Sequence, residues 1–125
     1  MEDNRALVVD DNDDLLEMLA MLLRHEGYEV ETASSALEAL DKFPSGAFCV
    51  VLSDIGMPRM NGYELARRLR AHPECKITVM IAITGMDMYG DRERAINAGF
   101  DDLMVKPIGP RTLMANIARL RKSRQ

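Results

Sequence analysis

Cysteine is scarce: Cys49 and Cys75 are the two in 125 residues. Two thiols cannot build the disulfide framework of a small secreted domain, so a reducing, cytoplasmic setting is expected. Basic charge is also in deficit, with Lys+Arg 16 against Asp+Glu 20 and a formal net charge of −4. A sequence-independent nucleic-acid binder normally carries a basic surplus, so direct nucleic-acid binding is not expected. No apolar run approaches the roughly 18–20 residues of a membrane span. The opening Met-Glu-Asp-Asn-Arg lacks the basic and then apolar layout of a signal peptide, so no membrane association is expected. Glycine-rich phosphate loops are missing too. No such loop precedes a Lys-Ser/Thr pair, and no Gly-x-Gly-x-x-Gly follows the first apolar run, which argues against P-loop and dinucleotide sites. What remains is an ordinary globular composition, 47% hydrophobic and 29% charged. Its length suits one domain that buries about two-thirds of its unfolded surface without a staple.

The charge is unevenly placed. All 20 acids lie at or before Asp102, and six of them (Glu2, Asp3, Asp10, Asp11, Asp13, Asp14) fall in the first 14 residues. After Asp102 the charged residues are Lys106, Arg111, Arg119, Arg121, Lys122 and Arg124. The basic stretch from Arg111 to Arg124 reads as a solvated helix end, and Asp13 and Asp14 as charges suited to the positive end of a helix.

Short apolar runs alternate with helical patterns along the chain. Ala6–Val9 is a continuous apolar run that suits a buried strand. Leu15, Leu16, Met18, Leu19, Leu22 and Leu23 repeat at helical spacing, with Asn12 or Asp13 as N-cap and Gly27 as a stop. Tyr28–Ala33 reads as a second strand. Ser35-Ala-Leu-Glu38 fits a capping box that opens a helix ending before Pro44. Cys49–Ser53, Ile77–Ile83 and Leu103–Val105 read as further strands. Tyr63–Ala71, Asp91–Ala98 and a segment marked by Leu113, Ile117 and Leu120 read as the intervening helices. Five β-α units of this kind predict a doubly wound α/β domain with a parallel sheet and five helices.

In such sheets ligands bind beyond the carboxyl ends of the strands. The residue after each apolar run is therefore a candidate: Asp10 and Asp11 after the first, Asp54 after the third, Thr84 at the fourth, and Lys106 after the fifth. Three neighbouring carboxylates raise one another's pKa unless cations neutralise them, and Lys106 supplies one charge. An oxygen-only set suits Mg²⁺, with Mn²⁺ as the alternative. A metal, a lysine and a hydroxyl around a carboxylate make an apparatus for phosphoryl transfer, with Asp54 as nucleophile and Thr84 bonding a phosphoryl oxygen. Asp10-x-Asn12-x-Asp14 opens like an EF-hand loop, but Leu15 and Met21 occupy its Gly and Glu positions. His25 and His72 are isolated and read as non-catalytic. The ten methionines read as core filler.

These residues, Val8-Val9-Asp10-Asp11, Ser53-Asp54-Ile55-Gly56-Met57-Pro58-Arg59-Met60-Asn61-Gly62, Thr84-Gly85 and Val105-Lys106-Pro107, resemble a response-regulator receiver domain of two-component signalling. The resemblance runs from about Ala6 to Leu120. It implies a flavodoxin-like strand order of 2-1-3-4-5 and a chemotaxis-regulator-like domain. It implies that Asp54 accepts phosphate from a sensor histidine kinase or histidine phosphotransfer protein. It implies Mg²⁺ held by Asp11, Asp54 and the Gly56 backbone carbonyl, with Asp10 acting through water, and a cis peptide at Pro107. It also implies a switch at the face of the fourth helix, fifth strand and fifth helix, and is compatible with a phosphorylation-dependent homodimer. One departure stands out: Leu103 sits three before Lys106, where such domains often carry an aromatic switch residue. Gly56 offers no side chain to direct an attacking water, while Met86 is an apolar candidate shield. The expected organisation is a single receiver over 1–125, core about 6–120, with no output domain appended. It is either a stand-alone regulator or a receiver of a hybrid sensor kinase. A metal-dependent phosphatase with an aspartyl-phosphate intermediate and a non-phosphorylated docking domain are the alternative readings.

Overall fold

The computed structural model describes residues 4–85 and 90–124. Five strands, β1 (Arg5–Val9), β2 (Glu29–Ala33), β3 (Val50–Asp54), β4 (Val79–Thr84) and β5 (Asp102–Val105), alternate with five α-helices. These are α1 (Asp13–His25), α2 (Ala36–Gly46), α3 (Gly62–Arg70), α4 (Asp91–Ala98) and α5 (Pro110–Arg124), with a short 3₁₀ turn at Pro73–Cys75. The strands pair in parallel in the order β2-β1-β3-β4-β5, a flavodoxin-like doubly wound sheet.

The continuous apolar strands follow from having helices on both sides. Successive residues point to opposite faces, so every position must be apolar when both are covered. Leu7, Val9, Val51, Met80, Ala82 and Leu103 enter the core beneath α2, α3 and α4. Ala6, Val8, Val50, Leu52, Ile81, Ile83 and Met104 enter the core beneath α1 and α5. The helices begin where short polar side chains satisfy free backbone donors. Asn12 caps α1, its side chain accepting from the Leu15 N–H, and Ser35 and Asn61 cap α2 and α3 in the same way. The reciprocal half of the α2 box lands one residue early: Glu38 accepts from the Ser34 N–H at 2.8 Å.

Two expectations are corrected. The second helix does not end before Pro44 but runs on to Gly46, where Ala47 turns left-handed at φ 49°. Pro44 removes one late intrahelical bond, and the extra turn brings Phe43 and Phe48 together at 6.1 Å between ring centroids. A Cβ on Gly46 would stand 2.0 Å from the Phe48 ring, so only glycine lets that ring fold back. The basic end of α5 is not merely solvated either. Arg124 Nε donates to Asp101 Oδ1 at 2.9 Å, and Arg121 reaches Asn4 and the Tyr28 hydroxyl at 3.3 and 3.2 Å. Acids that precede Asp102 in sequence thus meet the late cations in space.

Asp101 is the centre of that lock. Its Oδ2 accepts from Arg70 at 2.8 Å and from the Met80 N–H at 2.9 Å. Arg70 also donates to the carbonyls of Gly99, Cys75 and Thr78. One guanidinium therefore joins the end of α3, the entry to β4 and the turn after α4. Removing one partner of a largely buried, multiply bonded ion pair strands the other. Arg70→Ala should cost about 3 kcal/mol of unfolding free energy, read as a lower urea midpoint at unchanged slope.

Candidate functional site

The carboxyl ends of β1, β3, β4 and β5 bring the polar residues together. Asp10 follows β1 directly and is 1% exposed. Its N–H donates to the Ala33 carbonyl at 3.1 Å, and its Oδ1 accepts from the Asn12 N–H at 2.9 Å. Asp54 is the last residue of β3 and is also buried, while Asp11 is exposed. One carboxylate oxygen from each of Asp10, Asp11 and Asp54 lies within 4.8 Å of the others. Lys106 Nζ stands 3.5 Å from Asp54 Oδ1 and 3.6 Å from Asp10 Oδ2. Thr84 ends β4, and its carbonyl accepts from the Lys106 N–H at 2.8 Å, tying hydroxyl and lysine positions through the backbone. The Lys106–Pro107 peptide is cis.

The loop after Asp54 is shaped by its own backbone. The Ile55 carbonyl accepts from both Met57 and Gly62, and Arg59 takes a positive φ of 70°. This return presses Gly62 against the strand end, where a Cβ would meet the Asp54 carbonyl oxygen at 2.4 Å. At Gly56 a Cβ would meet nothing within 4 Å, so that position is open toward the site's rim. Asn61-Gly62 is visible in the sequence as a turn. That Gly62 is needed for close approach to Asp54 is a tertiary fact the chain alone did not signal. Leu103 is buried on the α4 side of the sheet. Met86 lies outside the described residues.

The charge balance is unfavourable: three carboxylates face one ammonium group. Burial, then the neighbouring Asp10 charge, pushes the Asp54 carboxyl above the ordinary range; Lys106 opposes this and Asp11 adds to it. Asp10 Oδ2 is buried with no hydrogen-bond partner, a vacant acceptor aimed into a cluster of oxygens. An orphaned acceptor, a charge surplus and an oxygen-only donor set fit a hard divalent cation such as Mg²⁺. The described residues hold no other group of three potential ligands of this kind.

A doubly wound parallel sheet of this order with such an acidic pocket at its strand ends is the architecture of CheY-like signalling domains. The response regulator receiver domain family matches residues 6–118, and the chain belongs to that family, the receiver module of two-component response regulators. Phosphorylation and Mg²⁺ binding are general properties of the family, and its partners are histidine kinases or phosphotransfer proteins. The chain is 39% identical over 121 residues to the transcriptional regulatory protein CpxR homolog of Haemophilus influenzae, covering 96% of this chain and 52% of that one. It thus spans about half the length of that relative. The chemotaxis protein CheY4 of Vibrio cholerae has a TM-score of 0.89 at 32% identity, covering 95% of this chain and 99% of that one. The signal receiver domain of a signal transduction histidine kinase from Syntrophus aciditrophicus has a TM-score of 0.84 at 28% identity, covering 96% and 91%. Among the described residues no helix is long and apolar enough to cross a membrane.

Two outcomes follow from the crowding. A carboxyl whose pKa is raised on folding adds no cost below its unfolded value near 3.8. The cost grows as pH rises above that value and is fully present once pH exceeds the raised one. Without divalent cation, Asp54→Asn should therefore be more stable than the parent at neutral pH, by on the order of 1 kcal/mol or about 3–6 °C in Tm. The difference should vanish in acid, and calorimetry across pH checks it. Gly62→Ala should cost more than about 2 kcal/mol, because the Cβ collides with backbone rather than with a movable side chain; chemical denaturation reads it.

Proposed function

We propose that Asp54 is the phosphoacceptor of a two-component phosphorelay. The observation that carries this is the Asp54 carboxylate at the end of β3, buried beside Asp10 and Asp11 and facing Lys106 Nζ at 3.5 Å. An Asp54 oxygen attacks the phosphorus of a phosphohistidine on a sensor histidine kinase or histidine phosphotransfer protein. The O–P bond forms as the N–P bond breaks, and the imidazole leaves with the bonding pair and takes up a proton. Lys106 balances charge on the transferred group, and the Thr84 hydroxyl donates to one of its oxygens.

Mg²⁺, with Mn²⁺ as a substitute, would be held by Asp11, Asp54 and the Gly56 backbone carbonyl, with Asp10 acting through water. When bound, the ion neutralises phosphoryl oxygens and the carboxylate surplus together. The vacant Asp10 Oδ2 supports this assignment. Occupation of the site then biases the face made by α4, β5 and α5, through a residue other than an aromatic at Leu103. The chain acts as a signalling domain, not a turnover enzyme, with no direct nucleic-acid or membrane partner, and phosphorylation favours a homodimer. Residues 1–125 form one receiver. The likeness to CheY4 supports a stand-alone regulator, and the likeness to the Syntrophus receiver supports a hybrid-kinase origin.

With a small acyl phosphate and Mg²⁺, intact-mass measurement should show one added phosphoryl group, absent without metal and absent in Asp54→Asn. Lys106→Met should slow the addition about tenfold or more. Addition that persists in Asp54→Asn sinks the assignment, as does an unmodified parent protein. In the latter case sustained turnover of a phosphoester would point to a phosphatase.

A further inference from the structure

The outer edge of β2 is covered by two cations, one from each helical layer. Glu29 donates its N–H to the Asn4 carbonyl and Ala33 accepts from the Asp10 N–H, so the odd residues of β2 bond toward β1. By the alternation of a strand, Val30 and Thr32 turn their carbonyls to the open side. Both are occupied. Arg24 of α1 donates to the Val30 carbonyl at 3.2 Å, and Lys42 of α2 donates to the Thr32 carbonyl at 2.6 Å. Lys42 is held over the strand by Glu38 at 3.2 Å and Glu31 at 3.9 Å, and Glu38 is itself fixed by the Ser34 N–H and hydroxyl. The opposite edge has the same treatment. At β5 the Leu103 N–H donates to Asp102 Oδ1, and its carbonyl accepts from Arg92.

An uncovered edge strand is a template for pairing with another chain, and Val30 and Thr32 are residues that favour strand pairing. We propose that Arg24 and Lys42 close the β2 edge and thereby prevent a second copy of this chain from adding to it, β2 against β2. An incoming strand must first move the Arg24 and Lys42 side chains off the edge to reach these carbonyls, and a displaced Lys42 loses its ion pairs with Glu38 and Glu31. The covered carbonyls belong to β2, none of whose side chains is among the pocket residues Asp10, Asp11, Asp54, Thr84 and Lys106, so the cover operates whether or not the phosphoacceptor assignment holds.

The test compares the parent with Arg24→Ala/Lys42→Ala, read by sedimentation velocity and by amide hydrogen exchange resolved to residue. The expected result is a concentration-dependent dimer or larger species in the double variant that the parent does not form, with exchange at Val30 and Thr32 slowed by about tenfold or more relative to the parent. Arg24→Lys/Lys42→Arg should stay monomeric. Should the double variant fail to fold, Arg24→Gln and Lys42→Gln are read singly in the same way. A folded variant that stays monomeric at the parent's concentrations overturns the inference. So does association that leaves Val30 and Thr32 unprotected, or that protects Leu103 and Val105 instead.

Discussion

Three carboxylates held against one ammonium group is the constraint on which the architecture turns. Asp10 and Asp54 are buried at neighbouring strand ends, and Lys106 reaches both from β5 at 3.6 and 3.5 Å. Nothing in the apolar core requires such a cluster, and by itself it opposes folding. Much of the local backbone serves to hold it. The Asp10 N–H is bonded to Ala33, the loop after Asp54 closes on the Ile55 carbonyl, and Lys106 is bonded through its N–H to Thr84. The cluster is therefore preorganised to accept positive charge. This is how a binding site stores an unfavourable interaction that a ligand relieves.

The rest of the molecule stabilises that rim from a distance. The two cores on either face of the sheet supply burial, and the Arg70–Asp101–Arg124 lock ties α3, α4's exit and α5 together at the opposite end from the pocket. On the α4 side, Arg92 and Arg119 approach Asp102 from two helices, with Arg119 at 3.5 Å. Both α4 and α5 are thus joined through ionic contacts to β5, next to the buried Leu103. Arg94 stacked 4.4 Å from the Tyr63 ring centroid links α4 to the start of α3, just beyond Gly62.

Much of the site was legible in the chain because each member sits next to a strand end. Asp10 and Asp11 follow Val9, Asp54 follows Ser53, and Lys106 follows Val105, so locating the apolar runs located the pocket. The topology was legible for a related reason: continuous apolar strands between amphipathic helices admit few arrangements. Less was legible where a residue's role depends on distant contacts. Asp101 and Asp102 stand just before the expected strand Leu103–Val105 with no local sign of a role, yet they anchor arginines from α3, α4 and α5. At α2 the local effect of Pro44 is outweighed by packing between Phe43 and Phe48, which only the folded chain displays.

The sequence by itself determined the class of fold, the residues that line its rim and the oxygen-rich chemistry they offer. Those follow from periodicity and from short-range neighbours, which a linear chain displays directly. Only the folded arrangement shows that Asp10 Oδ2 lacks a hydrogen bond, that Gly62 cannot bear a Cβ, and that the late cations meet the acids before them. It also decided which carbonyls of β2 face outward and which side chains cover them. Each of these depends on atoms far apart in the chain approaching within a few ångströms, and local pattern carries no measure of that distance.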